Sequence, residues 1–222
     1  MVYEWILANK ELLKIAYALI ICFICAVIVL RTDRLFKLSD YQGLRYLRNT
    51  FVFYFLAFFF RFIIGKIENP IPSYGQLYFQ SINFLFEFFV VMAGFFLFYS
   101  LIWKYIEKGK NYHSVFNLKI GLLLLISLAV AILDFGFSTY LFMYASQIII
   151  FLIMGIISFK NYLDGKNVFY FFMIVMGFIS WSLNAYAFFF LRETSAVQIS
   201  AYAINMIFFL LFLYGTIRMT KK

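Results

Sequence analysis

The chain has 222 residues, of which 65% are hydrophobic and only 13% are charged, and its formal net charge is +9. Soluble domains are about half apolar and about a quarter charged, so this composition excludes an ordinary water-soluble protein. The basic residues lie at the ends of apolar stretches rather than along one solvated face, which argues against a nucleic-acid partner.

Seven apolar stretches, each about as long as a bilayer crossing, follow one another along the chain. A crossing helix needs roughly 20 residues, because each residue advances the helix by about 1.5 Å and the hydrocarbon core is about 30 Å thick. The pattern predicts an all-α integral membrane protein, a seven-transmembrane-helix bundle that forms one domain over residues 1–222 without a soluble domain. The predicted helices cover residues 12–30, 42–64, 76–103, 118–135, 138–159, 168–191 and 196–217.

Local signals mark the helix boundaries. The first apolar stretch stops at Arg31, and Pro70 and Pro72 break the chain between the second and third helices. A Ser followed three residues later by Gln forms a capping box, which predicts a helix start. Three such pairs open the second, third and seventh helices: Ser39 with Gln42, Ser73 with Gln76, and Ser195 with Gln198.

The basic residues predict the orientation. Of the 19 Lys and Arg residues, 14 fall in segments on one side of the predicted membrane and 5 on the other. Cytoplasmic segments carry the excess of Lys and Arg. The sequence therefore predicts a multi-pass protein of the cell membrane, with its N-terminus outside and its C-terminus in the cytoplasm.

Several chemistries of membrane proteins need residues that this sequence lacks. The two cysteines, Cys22 and Cys25, lie alone in the first apolar stretch, where thiols behave as small hydrophobes. A single histidine, His113, cannot form a zinc site by itself. The seventh stretch has no Lys before Lys221 for a retinal Schiff base, and the chain has no Gly-x-Ser-x-Gly motif. The sequence thus predicts no catalytic residue, cofactor or metal, and it does not indicate an enzyme.

Glu87 is the most informative polar residue of the predicted helices. An ionisable group inside lipid costs about 2.5 kcal/mol or more, so it suggests a function by default. Gln80 and Asn83 precede Glu87 at the spacing i, i+3, i+7, which places all three side chains on one helix face.

Similar polar stripes recur on other helices. They are Tyr140, Tyr144 and Gln147 on the fifth helix, Ser180 and Asn184 on the sixth, and Gln198, Tyr202 and Asn205 on the seventh. Two charged residues, Arg61 and Asp134, lie near the outer ends of the second and fourth helices and are candidates for an ion pair.

We predict that the stripes converge on a polar pocket open to the outside, with Glu87 as its charged anchor and Arg61 as a partner. Pockets between bundle helices are common sites for small ligands. The predicted ligand-binding residues are Glu87, Asn83, Gln80, Tyr144, Gln147, Asn184, Tyr202 and Asn205. Alternatively, these side chains only join the helices, each interhelical hydrogen bond contributing about 0.6 kcal/mol. In that case Tyr140 and Tyr202 belong to the interfacial aromatic belt.

Three functions fit this sequence. The first is a receptor- or sensor-like protein that binds a small polar ligand in the pocket and signals through a partner. The second is a structural or scaffold subunit of a larger membrane complex. The third is a small-solute carrier that cycles a proton on Glu87. The expected partners are membrane lipids and a cytoplasmic or membrane protein at the basic inner loops, for example at residues 31–48. The sequence does not indicate an oligomeric state.

Single glycines within the predicted helices indicate close packing. A glycine allows a neighbouring helix to approach closely because it has no side chain. We expect such contacts at Gly94, Gly121, Gly155 and Gly177.

Overall fold

The computed structural model describes residues 10–39, 41–66, 75–106, 118–137, 139–163, 168–190 and 195–220. Within these ranges the chain forms seven helices that are each long and apolar enough to span a membrane, as the sequence predicts. Their bounds are α1 (Lys10–Ser39), α2 (Gln42–Phe58), α3 (Gly75–Ile106), α4 (Leu118–Phe137), α5 (Leu141–Leu163), α6 (Val168–Phe190) and α7 (Ser195–Thr220).

Helix α1 continues nine residues beyond Leu30, where the hydropathy pattern predicts its end. Charged residues stop the lipid-buried part of a helix without breaking its backbone. Asp33 forms an ion pair with Lys37 one turn later, at 2.8 Å, and a second one with Arg48 of α2. Pairs of opposite charge at the spacing i, i+4 stabilise a helix, so these contacts extend α1 and join its last turns to α2.

The capping box predicted at the start of α2 is wrong. Tyr41 occupies the N-cap position and makes no side-chain cap hydrogen bond. The Ser39 hydroxyl instead donates to the carbonyl oxygen of Leu35 at 2.8 Å, within α1. Of the other two boxes, Ser73 lies outside the described residues, and α7 begins at Ser195, one residue before its predicted start.

The sequence predicts a helix that runs to Ile64, but the α-helical part of α2 ends at Phe58. It passes into a π-helix over Phe59–Ile63 and then into a 3-10 turn over Ile64–Lys66. The backbone N–H of Ile64 bonds to the carbonyl oxygen of Phe59, five residues earlier, as in a π-helix. Such segments are rare and occur frequently at functional sites. Arg61 lies in the middle of this one.

The helices form a closed ring. Helix α1 packs on α2 and on α7, α2 packs on α3, α3 packs on α5, and α5, α6 and α7 follow in order. Helix α4 stands outside the ring, against α3 and α5. In the most apolar part of α4 only 22% of the residues are buried, whereas 56% are buried in the same part of α3. Helix α3 is therefore the central helix of the bundle and α4 a peripheral one.

Aromatic side chains fill the middle of the ring. Phe51 and Tyr54 of α2 face Phe209 and Phe212 of α7, and all four side chains are buried. The ring centroids are 5.2 Å apart for Phe51 and Phe212, and 5.3 Å apart for Tyr54 and Phe209. Aromatic pairs at these separations pack favourably. We call these four residues the aromatic layer.

The predicted close helix contacts exist at two of the four glycines. A Cβ atom on Gly94 would lie 2.8 Å from the side-chain amide of Gln147 on α5. One on Gly177 would lie 2.7 Å from the ring of Phe208 on α7. The expectation is wrong at the two glycines that have no atom within 4 Å of the added carbon, Gly121 and Gly155.

Part of the basic segment over residues 31–48 is not an exposed surface. Arg45 is only 7% exposed and is held inside the bundle, and Arg48 pairs with Asp33. Arg31 and Arg34 are exposed on the last turns of α1.

Candidate ligand-binding site

A cavity of about 120 Å³ lies inside the ring of helices, and every helix except α4 contributes to its wall. The polar lining residues are Tyr17, Arg61, Tyr144, Asn184, Tyr202 and Asn205. Aromatic rings complete the wall: Phe58, Phe62, Phe86, Trp181 and Phe188. These residues belong to the early parts of α1, α3, α5 and α7 and to the late parts of α2 and α6. The cavity therefore lies toward the end of the bundle where α1 and α7 begin.

A hydrogen bond between the first and last helices forms one side of the cavity. The side-chain amide of Asn205 donates to the hydroxyl oxygen of Tyr17. The ring of Tyr17 packs on that of Tyr202, with centroids 4.6 Å apart. Because the oxygen of Tyr17 accepts from Asn205, its hydroxyl hydrogen is left to donate to a ligand.

Arg61 brings a positive charge into the cavity wall. Its guanidinium carbon lies 4.2 Å from the ring centroid of Phe86 and 5.2 Å from that of Tyr140. Ring faces attract a guanidinium through their quadrupole and leave its N–H groups available for hydrogen bonds. Phe58 lies three residues before Arg61 and Phe62 directly follows it. Both rings line the same wall and stack with centroids 5.9 Å apart.

Helices α5 and α6 form the opposite side. The side-chain amide of Asn184 donates to the carbonyl oxygen of Ser180 at 2.8 Å, and its own amide oxygen remains available to the cavity. The ring of Tyr144 packs on Trp181 and Phe188, with centroid distances of 6.2 and 5.7 Å. The cavity wall thus offers hydrogen-bond donors and acceptors set among aromatic rings.

The structure brings together half of the predicted ligand-binding residues. The four that line the cavity are Tyr144, Asn184, Tyr202 and Asn205. The four that do not line it are Gln80, Asn83, Glu87 and Gln147. Of the two residues predicted as an ion pair, Arg61 lines the cavity and Asp134 does not.

Gln147 makes the kind of contact that the alternative interpretation describes. It is fully buried, and its Nε2 atom donates to the backbone carbonyl of Val90 on α3 at 3.2 Å. Its Oε1 atom has no hydrogen-bond partner among the described residues. Gln147 therefore joins α5 to α3 rather than facing a ligand.

Glu87 lies outside the cavity wall that it was predicted to anchor. It is 4% exposed, and its Oε2 atom is buried without a hydrogen-bond partner among the described residues. The neighbouring Phe86 lines the cavity instead. Among the described residues, Glu87 interacts electrostatically with the negative charge of Asp134 and with the positive charge of Arg61. The charged group of the wall is thus Arg61.

Asp134 caps a helix. Its Oδ1 atom accepts the backbone N–H of Phe142 at 3.0 Å and the hydroxyl of Thr139 at 3.1 Å, and its Oδ2 atom accepts the N–H of Met143 at 2.7 Å. The first N–H groups of a helix lack partners within the helix, so a carboxylate from α4 satisfies two of them at the start of α5. Within the described ranges Asp134 forms no ion pair with Arg61.

Sequence reasoning missed several residues of the wall. Tyr17 is a lone polar residue in an apolar run, and it becomes part of the site only because α1 packs against α7. Trp181 lies next to the Ser180 and Asn184 stripe, and it lines the cavity with Asn184. The three-residue spacing between Phe58 and Arg61 is the kind of signal that would have linked them to one face.

Fold and cavity together define a class: across the described ranges, an all-helical bundle of seven potential membrane spans with an internal polar cavity. No family model matches the chain, and no solved structure matches it. An alignment over 99 residues, which covers 41% of this chain, shows 30% identity to an uncharacterised protein of Archaeoglobus fulgidus. The match covers 44% of that protein, so the chain spans less than half of this relative.

Proposed function

We propose that this chain is a seven-transmembrane protein of the cell membrane that binds a small polar ligand in its cavity and acts as a receptor or sensor. The observation that carries the proposal is the cavity at the junction of six helices, with the side chain of Arg61 in its wall. A ligand there would contact six helices at once. It would therefore favour one arrangement of the bundle over another, which is what a receptor requires.

The position of the cavity supports an opening to the outside. With the N-terminus outside, as the excess of basic residues favours, the outer end of the bundle is the end where α1, α3, α5 and α7 begin. The cavity lies toward that end. Exposed Arg31 and Arg34 would then lie on the cytoplasmic side, where they suit an acidic partner protein or anionic lipids.

The aromatic layer favours a receptor over a carrier. Phe58 lines the cavity and also contacts Phe209 of that layer, with centroids 5.7 Å apart. A carrier needs a polar path that continues to the other side of the membrane. Four buried aromatic side chains directly beyond the cavity do not offer such a path.

The test is thiol accessibility from outside the cell. In a background with Cys22→Ala and Cys25→Ala, Ala201→Cys places a thiol in the cavity wall. Ala203→Cys, two residues further along α7, places one on the exposed surface of the bundle, where lipid would cover it. We expect small, charged, membrane-impermeant methanethiosulfonates to modify the thiol at position 201 much faster than that at position 203.

Two controls complete this experiment. Both thiols should react after denaturation in detergent, which shows that each protein is present in comparable amounts. If neither the anionic nor the cationic reagent reached position 201 in folded protein, the outward-open cavity would be refuted, and the scaffold function would take its place.

A further inference from the structure

We propose that the ligand of this cavity is a small organic anion, a monocarboxylate with a short apolar body, and that Arg61 binds its carboxylate. The inference deepens the proposed function and rests on it, because it names the chemical class of the ligand.

Among the described residues Arg61 forms no ion pair, although its charge acts on the nearby Glu87. Neither of the two nearby acidic side chains forms an ion pair with Arg61 in the described ranges. Asp134 caps α5 through both of its oxygens, and Glu87 lies outside the cavity wall. The ion pairs among the described residues lie at the other end of α1, on Asp33. A cation in a poorly hydrated wall gains most from an anion that enters the cavity.

The guanidinium is arranged to bind an anion. The rings of Phe86 and Tyr140 hold it through their faces, at 4.2 and 5.2 Å, and ring faces do not use its N–H groups. A guanidinium presents a planar fork of donors that matches the two oxygens of a carboxylate. The hydroxyl of Tyr17, whose oxygen already accepts from Asn205, adds a further donor, and the ring of Tyr17 packs on that of Phe62, the residue next to Arg61.

Size and shape limit the rest of the ligand. A cavity of about 120 Å³ is close in size to a protein cavity of about 150 Å³ that holds one benzene molecule, so the ligand is small. Aromatic rings make up much of the remaining wall, among them Phe58, Phe188 and Trp181. One positive charge surrounded by rings suits one carboxylate on a short hydrocarbon body, such as propionate. It does not suit a dianion, because Arg61 is the one cation among the described residues of the wall.

The experiment measures the sign of the potential at the cavity. Ala201→Cys in the cysteine-free background is treated separately with anionic 2-sulfonatoethyl and cationic 2-trimethylammonioethyl methanethiosulfonate. The ratio of the two rate constants is divided by the same ratio for β-mercaptoethanol in solution. We expect this normalised ratio to exceed one. Arg61→Gln should lower it at least about tenfold, because a unit charge in the wall of the same cavity acts strongly at a partly buried site. Arg61→Lys keeps the charge and should preserve it.

A second measurement uses a probe of the proposed class on protein that retains Arg61. Millimolar propionate should slow modification of the thiol at position 201, whereas the same concentration of propionamide should not. Arg61→Lys should weaken protection by propionate although it preserves the ratio, because lysine lacks the planar fork.

The two proposals fail in different ways. A preference for the cationic reagent, a ratio unchanged by Arg61→Gln, or equal protection by propionamide would overturn the anion assignment while an accessible cavity stood. If neither reagent reacted with folded protein, the cavity function would fail and the anion assignment with it. If Arg61→Gln did not fold, protection by propionate but not propionamide would still decide the question.

Discussion

The carboxylate of Asp134, near the end of α4, accepts the backbone N–H of Met143 on α5 at 2.7 Å. The same carboxylate accepts the N–H of Phe142 at 3.0 Å. Inside a bilayer water could not satisfy these N–H groups, and here the side chain of one helix completes the start of the next. The peripheral helix α4 is thereby fixed to the ring that encloses the cavity.

Replacing Asp134 tests this cap. Asp134→Ala should lower the free energy of unfolding by about 1–2 kcal/mol, the usual effect of losing a helix cap. Asp134→Asn should cost less, because its amide oxygen still accepts one hydrogen bond. Denaturation of the purified protein in detergent would measure both. An Asp134→Ala protein as stable as the parent would refute the capping role.

The absence of an ion pair between Asp134 and Arg61 can be tested by a double-mutant cycle. In a Glu87→Gln background, which removes the carboxylate that both charges act on, the effects of Asp134→Ala and Arg61→Gln on the free energy of unfolding should add to within about 0.5 kcal/mol. A coupling well above that value would mean that the two side chains do pair in the membrane.

Gly177 should be essential for packing. Gly177→Ala places a methyl group against Phe151 and 2.7 Å from the ring of Phe208, so it should destabilise the bundle by about 1–3 kcal/mol through overpacking. The matched control is Gly155→Ala, where no atom lies within 4 Å. That change should be neutral or stabilise by up to about 1 kcal/mol, because alanine favours the helix. Equal thermal midpoints for the two variants would contradict the packing.

Gln147 and Asn205 should respond differently to the same change. Gln147→Leu removes one hydrogen bond and one unpartnered oxygen, so stability should change by less than about 1 kcal/mol, and reagents should still reach a thiol at position 201. Asn205→Leu puts an apolar side chain into the cavity wall and should slow that reaction strongly. Reaction rates of the two variants with the same methanethiosulfonate make the comparison. Slower reaction in Gln147→Leu would place Gln147 in the site after all.

The carboxyl group of Glu87 should not be needed for the stability of the protein. Glu87→Gln keeps the shape of the side chain and removes an ionisable group whose Oε2 atom has no hydrogen bond among the described residues, so the free energy of unfolding should stay equal or rise. Glu87→Ala, which leaves a void, should lower it by about 2–4 kcal/mol. A loss above about 1 kcal/mol in Glu87→Gln would reveal a partner for the carboxylate and would argue for a functional role.

Hydropathy predicts the seven helices because the length and apolarity of each stretch are local properties. It misplaces the end of α1, since the pattern marks where charged residues begin, and Asp33 and Lys37 continue the helix as an ion pair. The π-helix around Arg61 also escaped prediction. Its five-residue hydrogen-bond spacing is set in the folded bundle, and no pattern of residues in the sequence predicts a π-helix there.

The site was predicted in part because periodicity shows which residues share a face but not what that face meets. Two residues of the stripe on α7, Tyr202 and Asn205, both line the cavity. Helix α3 packs on α2, α4 and α5 and is buried on several sides, so the shared face of Gln80, Asn83 and Glu87 says little about a ligand. Which residues face the cavity depends on the order of the helices around the ring, and the local spacing of residues does not predict that order.

The hydrogen bond from Asn205 to Tyr17 joins residues 188 positions apart. Since ribosomes add about 5–20 residues per second, Tyr17 would wait about 10–40 s during synthesis before its partner is made. The early helices can enter the membrane in that interval, but the wall between α1 and α7 cannot close. The wall between α1 and α7 is therefore completed only after α7 has been made, and a product that ends before α7 would lack that side of the cavity.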